Sequence, residues 1–200
     1  MRQRRQQRRH GDGGHSFGTS ALFSNTTGSF NTAIGFAADV ISGGLTNATA
    51  IGANAVVNAS NKIRLGDAAV TVIEGQVAFT ASSDRTKKEN FKPVNEDEVL
   101  KKIGQIPVQS WNFIGHDPKK FRHYGPMAQD FFAAFGNDGV GTIGTPTTIN
   151  SGDMAGILMI AVQALEKQNR EIKVENADLK ARLERLERRF GAAVLAVKAE

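Results

Sequence analysis

The stretch TASSDRTKKENF, residues 80–91, marks the point where the character of the sequence changes. The chain before it is rich in glycine, alanine, asparagine and threonine, and the chain after it is rich in charged and helix-forming residues. Ser82, Ser83 and Asp84 lie at the junction, and Lys88 follows Ser83 by five positions. The stretch therefore separates two regions of different fold, and its polar residues form either a helix cap or a chemical site.

Composition limits the classes of protein to consider. A chain of 200 residues forms one or two domains, and the absence of cysteine excludes disulfides and thiolate metal sites. No apolar run is long enough to cross a membrane, and no apolar segment follows the basic N-terminus as in a signal peptide. The sequence therefore predicts neither a membrane-spanning segment nor a signal peptide.

The positive charge is confined to one end of the chain. Five of the 25 basic residues and none of the 20 acidic residues lie in positions 1–10, so the remainder is balanced. We predict a disordered basic tail over residues 1–15. Because no folded region carries an excess of basic residues, we do not expect nucleic acid as a partner.

Residues 16–80 contain four similar units: FGTSALF, IGFAADV, IGANAVV and LGDAAVT. Each reads apolar–Gly–x–x–Ala, and they begin at Phe17, Ile34, Ile51 and Leu65, at spacings of 17, 17 and 14 residues. Such repeats predict a stacked, β-rich architecture in which the glycine supplies a tight turn with positive φ. The units resemble the head repeats of trimeric autotransporter adhesins and some phage fibres. That resemblance implies a β-roll shared among three chains, with strand contacts between chains.

The region after residue 84 predicts a small α+β domain. VNEDEVLKKIG (94–104) is typical of a helix with Asn95 as N-cap, IPVQSWNFI (106–114) of a strand, and MAQDFFAAFG (127–136) of a helix that ends at Gly136. The aromatic residues of this region are expected in its core; they are Trp111, Phe113, Phe131, Phe132 and Phe135. His116, Asp117 and His123 match no metal-ligand spacing, so we predict no metal site and no cofactor.

The segment 153–190 carries a heptad repeat. Apolar residues and two asparagines alternate at d and a positions: Leu158, Val162, Leu165, Asn169, Ile172, Asn176, Leu179, Leu183, Leu186 and Phe190. The g-to-e pairs Glu175–Lys180 and Arg182–Glu187 have opposite charges, which suits parallel chains in register. The pattern predicts a coiled coil rather than one amphipathic helix packed on its own domain. The heptads alone leave dimer and trimer open.

Ser83 and Lys88 are candidates for a nucleophile and its base. A serine attacks a carbonyl when a base takes its proton, and an uncharged lysine serves as such a base. The neighbouring charges of Arg85 and Lys87 favour the uncharged form. However, residues i and i+5 of a regular helix do not face each other, so the pair needs either a turn between the two residues or a lysine from a neighbouring chain. From these residues alone, a cap formed by Ser83 or Asp84 is the favoured interpretation.

The wider set of motifs favours the chemical interpretation. Ser83-Asp84, Lys88, the segment Gly125–Asp130 with Ala128 and Gln129, and the segment Ala161–Glu166 with Gln163 and Leu165 resemble the peptidase S74 family. This family comprises the intramolecular chaperones of phage tailspikes and tail fibres. The resemblance covers residues 83 to about 190. The chain differs at Thr86, where members often have arginine.

The resemblance implies a homotrimer in which Ser83 is the nucleophile, Lys88 is the base, Asp84 shapes the turn, and the bond between Ser82 and Ser83 is cut. The expected fold is α+β: head repeats over 16–82, a chaperone domain over 83–152, a coiled coil over 153–190 and a tail over 191–200. The expected function is a self-releasing trimerisation chaperone of a virion fibre or bacterial surface protein, with a host-surface receptor as further partner. The alternative is a stalk that trimerises without cleavage.

Overall fold

The structure is a computed structural model that describes residues 11–197, with side chains described as far as Phe190. It divides into two units. The first comprises the described residues up to Ala78 together with Asn112–Arg122, and the second comprises Phe79–Trp111 and the residues from His123 onward. The arginine-rich positions 1–10 lie outside the described residues. No helix within the described range has the length and apolar character needed to span a membrane.

The first unit is a β-solenoid built from short parallel strands. Its larger sheet has the order β1-β2-β4-β6, and its smaller sheet pairs β3 with β5. The strands are β1 (His15–Phe17), β2 (Thr32–Ile34), β3 (Asp39–Val40), β4 (Ala48–Ile51), β5 (Val56–Val57) and β6 (Lys62–Leu65). The stacked architecture predicted from the repeats is thereby confirmed.

The register of the larger sheet reproduces the spacing of the repeats. Phe17 pairs with Ile34, Ile34 with Ile51, and Ile51 with Leu65, so the first residues of the four units form one ladder. All these pairings are made within one chain. Successive units of one chain supply the neighbouring strand in these pairings, and the expected strand contacts between chains stay a prediction.

Glycine and alanine allow the turns of the solenoid to stack closely. Gly35 has a φ of 136°, and a Cβ placed on it would lie 2.6 Å from the carbonyl oxygen of Gly52. Two alanines of the repeat, Ala38 and Ala55, are fully buried, whereas Ala69 of the fourth unit is exposed. The core is completed by small and medium side chains: Leu22, Ala33, Val40, Ala48, Ala50 and Val57.

A buried asparagine links two turns of the solenoid by hydrogen bonds. Asn31 Nδ2 donates to the carbonyl oxygen of Leu45 at 2.6 Å and to Asn25 Oδ1 at 3.0 Å. Asn31 Oδ1 accepts from the amide of Ala48 at 2.9 Å. Both the side-chain nitrogen and the side-chain oxygen of Asn31 therefore have hydrogen-bond partners, which offsets the free-energy cost of burying this polar side chain.

The second unit packs three helices and a two-stranded antiparallel sheet. These are α1 (Glu96–Gln105), β7 (Gln109–Trp111), β8 (His123–Gly125), α2 (Ala128–Phe135) and α3 (Ser151–Val197). Asn95 Oδ1 accepts from the amide of Glu98, as its predicted role of N-cap requires. The helix α3 continues beyond residue 190, where the heptad segment was expected to end.

The core of the second unit is formed where the three helices meet. Val99, Phe131 and Phe135 are buried there, and Met154, Ile157 and Ile160 of α3 pack against them. Phe113 was expected in this core, but it is exposed and belongs to the first unit. The predicted strand 106–114 is only three residues long, because Ile106 caps α1 and a turn begins at Phe113.

Candidate active site

The junction between the two regions is folded into a single tight turn. Asp84 Oδ1 accepts a hydrogen bond from the amide of Thr86 at 2.9 Å, which makes Asp84 the N-cap. A 3₁₀ turn follows over Arg85–Lys87, and the amide of Lys88 closes it by donating to the carbonyl oxygen of Arg85 at 3.2 Å. Asp84, and not Ser83, therefore has the capping role that the sequence left open between them.

This turn brings Ser83 and Lys88 together. Lys88 Nζ donates a hydrogen bond to Ser83 Oγ at 2.7 Å within one chain. The offset of five residues is bridged because the 3₁₀ turn is tighter than an α-helix and because Lys88 itself is extended, with φ −123° and ψ 148°. The objection drawn from α-helical geometry does not apply to this conformation.

The contact joins a hydroxyl that could act as a nucleophile to an amine that could act as its base. A heavy-atom distance of 2.7 Å lies within the range for direct proton transfer between a serine hydroxyl and an amine. The peptide bond that precedes Ser83 joins its nitrogen to the carbonyl carbon of Ser82. The arrangement can therefore support attack by Ser83 on the peptide bond that precedes it.

The residues around Ser83 and Lys88 are exposed in the single chain. None of residues 80–91 is buried or half-buried, and the 3₁₀ turn contains no buried residue. The position of Lys88 is therefore determined by local contacts rather than by a core.

Sequence reasoning did not identify Asn90 and Phe91, two residues that follow the turn. Asn90 adopts a left-handed conformation, with φ 55°, and the Arg85 guanidinium lies 5.5 Å from the centroid of the Phe91 ring. Asparagine tolerates this conformation better than most residues, so Asn90 was a usable indication of a reversal in the chain. The contact between Arg85 and Phe91 had no counterpart in the sequence pattern.

The chain beyond the turn is attached to the loop that follows α2. Lys92 Nζ donates to the carbonyl oxygen of Asp138. Hydrogen bonds from the amides of Gly141 and Val140, with a smaller effect of the Lys92 charge, hold the pKa of the Asp138 carboxyl below its usual value. The loop over 137–141 is thus a polar anchor for the segment that follows Lys88.

The second unit also contains a cavity of about 580 Å³. Its apolar lining includes Val99, Phe131, Phe135 and Ile157. Among the residues that line it, Lys92 is the one nearest to Lys88 in sequence. Ser83 and Lys88 do not line it, so the cavity and the candidate dyad are separate features.

The heptad residues of α3 lie on a face that no other described part of the chain covers. The apolar members from Leu158 to Leu186 are 49–62% exposed. Ala161 and Ala164, on a different face of the same helix, are buried against the second unit. The helix therefore has two apolar faces: one is covered by other described residues of the chain, and the other is exposed.

The histidines considered for a metal site are held in different surroundings. His116 lies in the first unit, where its Nε2 is 3.3 Å from the carbonyl oxygen of Ala68, whereas His123 stacks on Trp111 in the second unit. Across the part of the chain that the structure describes, no three His, Asp or Glu side chains are grouped to hold a metal ion.

Comparison with known families supports the same boundary. Residues 83–140 match the family model Peptidase_S74, described as chaperone of endosialidase. The match begins at Ser83 and includes Lys88 and the segment Gly125–Asp130, whereas Ala161–Glu166 lies beyond it. None of the curated proteins matches the chain. The resemblance drawn from the sequence motifs is therefore confirmed over residues 83–140, which match the chaperone-of-endosialidase family model.

Proposed function

We propose that the region from Ser83 onward is a trimerisation chaperone that releases itself from the β-solenoid by cutting the bond between Ser82 and Ser83. The observation that carries the proposal is the 2.7 Å contact between Lys88 Nζ and Ser83 Oγ. It lies at the first residue of the matched segment and after the last strand of the solenoid. A cut at this bond separates the strands of the solenoid from the later strands and helices, and it interrupts no described strand or helix.

The proposed reaction is an acyl shift followed by hydrolysis. The uncharged amine of Lys88 takes the proton of Ser83 Oγ, which attacks the carbonyl carbon of Ser82. The peptide C–N bond breaks, the Ser83 nitrogen accepts a proton, and an ester joins the Ser82 acyl group to Ser83 Oγ. Water then cleaves the ester, leaving a carboxylate on Ser82 and restoring the Ser83 hydroxyl.

Assembly into a homotrimer is supported by the uncovered face of α3. Burial of each Leu or Ile side chain contributes roughly 1.5–3 kcal/mol. The exposed heptad residues of one chain therefore favour association with copies of the same helix. The pairs Glu175–Lys180 and Arg182–Glu187 would lie between chains in a parallel coiled coil. The choice of three chains rests on the family resemblance.

A second apolar surface supports association of the solenoid itself. The ladder of Phe17, Ile34, Ile51 and Leu65 is 37–77% exposed, although its members are in register within one sheet. In a trimer we expect these ladders to pack against one another. A coiled coil that holds three chains together would raise the effective concentration of the solenoids and so favour that packing.

The dyad is proposed to act within one chain, because Lys88 reaches Ser83 of the same chain. Assembly of the trimer would then restrict the conformations of the exposed residues around Ser83 and Lys88. It would not need to supply a lysine from another chain. The proposal includes a setting in a virion fibre or on a bacterial surface, with a host-surface receptor as a further partner, and the resemblances drawn from the sequence support it.

The intact mass of the expressed chain tests the proposal. We expect the 21.5 kDa chain to be replaced by fragments 1–82 and 83–200, and we expect Ser83→Ala and Lys88→Ala to remain uncut. Ser82→Ala and Lys87→Ala are matched controls, since each removes the same functional group one position away and should still be cut. An uncut wild-type trimer would overturn autoproteolysis.

That last result would favour the alternative of a stalk that trimerises without cleavage. The alternative is supported by the cap at Asp84, which stabilises the turn whether or not Ser83 reacts.

A further inference from the structure

The turn that carries Lys88 is closed by a contact between its two ends. Arg85 begins the 3₁₀ turn, Lys88 follows it, and the left-handed residue Asn90 reverses the chain so that Phe91 returns to Arg85. The Arg85 guanidinium then lies 5.5 Å from the centroid of the Phe91 ring, within the range of a cation–π interaction. Lys88 lies inside the loop that this contact closes.

The backbone contacts of the turn do not by themselves fix the Lys88 side chain. They end where the amide of Lys88 donates to the carbonyl oxygen of Arg85. The side chain of Lys88 is exposed, and ordering a free lysine side chain costs rotamer entropy. A contact beyond Lys88 restricts the backbone on its C-terminal side and reduces the number of conformations in which Nζ is away from Ser83.

We propose that Arg85 and Phe91 form a clasp that positions Lys88 against Ser83, with both acting as positioning residues for self-cleavage. The inference rests on the proposed autoproteolysis. Phe91 is 64% exposed, so a large aromatic side chain is kept on the surface where it contributes nothing to the helical core. Its ring instead covers the arginine that begins the turn.

The clasp predicts a specific kinetic change. A cation–π contact at an exposed site is strong enough to change the population of the closed turn about two- to fivefold. Phe91→Leu keeps an apolar side chain but removes the ring face, so we expect the cleavage rate to fall about two- to fivefold. Phe91→Tyr keeps the ring face and should cleave at the wild-type rate.

The experiment measures cleavage of the full chain over time by intact mass, at several pH values. The variants are wild type, Phe91→Leu, Phe91→Tyr and the control Phe79→Leu, which alters another exposed phenylalanine outside the turn. Sedimentation and thermal unfolding check that assembly and folding are unchanged. Positioning predicts a lower plateau rate for Phe91→Leu alone, with the midpoint of the pH profile unmoved.

The outcomes separate the clasp from the proposed function. If wild type and Phe91→Leu are cut at equal rates, the clasp is wrong and autoproteolysis stands. If the rate falls equally in Phe91→Tyr, or falls only together with the unfolding temperature, the ring contact with Arg85 is not the cause and the clasp is again wrong. If wild type is never cut, autoproteolysis is wrong and the clasp falls with it.

Discussion

Lys88 Nζ and Ser83 Oγ are joined by a hydrogen bond of 2.7 Å, although five positions separate the two residues in the chain. The 3₁₀ turn capped by Asp84 makes this contact possible, because an α-helix would have directed the two side chains to different faces. The peptide bond between Ser82 and Ser83, where the segment that matches the family model begins, is therefore adjacent to a hydroxyl and an amine already in contact.

The cap at Asp84 is expected to control the cleavage rate through the turn. Asp84→Ala removes the acceptor for the amide of Thr86, a loss of about 1 kcal/mol for a helix cap and hence about fivefold in the population of the turn. We expect cleavage, followed by intact mass, to slow by that factor. Asp84→Asn retains a side-chain oxygen and should cleave nearly as fast as wild type; equal rates for all three proteins would contradict the role of the cap.

The exposed face of α3 is expected to determine the oligomeric state. Leu179→Asp places a charge at a d position, where about 1.5–3 kcal/mol of burial per chain would be lost. We expect sedimentation equilibrium to show a shift from trimer toward monomer. Ala181→Asp is the matched control, since position 181 lies outside the a and d positions and should leave the trimer intact. A trimer that survives Leu179→Asp would exclude this face as the interface.

The buried amide of Asn31 is expected to stabilise the solenoid. Asn31→Ala leaves the amide of Ala48 and the carbonyl oxygen of Leu45 without their partner, at about 1–3 kcal/mol for each buried group. Thermal unfolding of the solenoid, followed by circular dichroism in the β-sheet region, should occur at a lower temperature. Asn58→Ala removes an exposed asparagine that contacts only Lys62 among the hydrogen bonds described for it, and it should change the midpoint little.

The pair Glu98–Lys102 gives a prediction for pH dependence. A hydrogen bond from Lys102 at 2.9 Å, together with its charge, lowers the pKa of Glu98. The contribution of the pair to stability is therefore present above the ordinary glutamate pKa and lost as the pH falls through the lowered value. An NMR titration should show the Glu98 midpoint rise toward the ordinary pKa of a glutamate in Lys102→Met. Lys101→Met is the control, since Lys101 has the smallest of the lowering effects; an equal rise in both variants would contradict the assignment.

The repeating parts of the fold could be predicted from the sequence. The units at Phe17, Ile34, Ile51 and Leu65 are neighbours in the sheet because each turn of a solenoid repeats the same inward and outward pattern. The cap at Asn95 could be predicted as well, because a helix start is encoded by adjacent residues. What the repeats could not specify was whether the next strand came from the same chain, since the pattern is identical in both cases.

The candidate site was predicted by residue type but not by geometry. Ser83 and Lys88 could be named from motifs, yet their contact depends on a 3₁₀ turn and an extended Lys88, which their spacing does not encode. The excursion over Asn112–Arg122, which belongs to the first unit, was likewise not predicted. It lies between two short strands, and its assignment depends on contacts distant in sequence.

Mixed trimers test most directly whether Ser83 and Lys88 of one chain form the cleaving pair. Ser83→Ala chains and Lys88→Ala chains would be co-expressed with different tags, purified as mixed trimers and measured by intact mass. Wild-type chains mixed with Ser83→Ala chains serve as the control, in which only wild-type chains should be cut. A dyad within one chain predicts no fragment from the two variants together. Appearance of fragments 1–82 and 83–200 from the Lys88→Ala chains, whose Ser83 is intact, would contradict it, because a lysine of another chain would then have supplied the base.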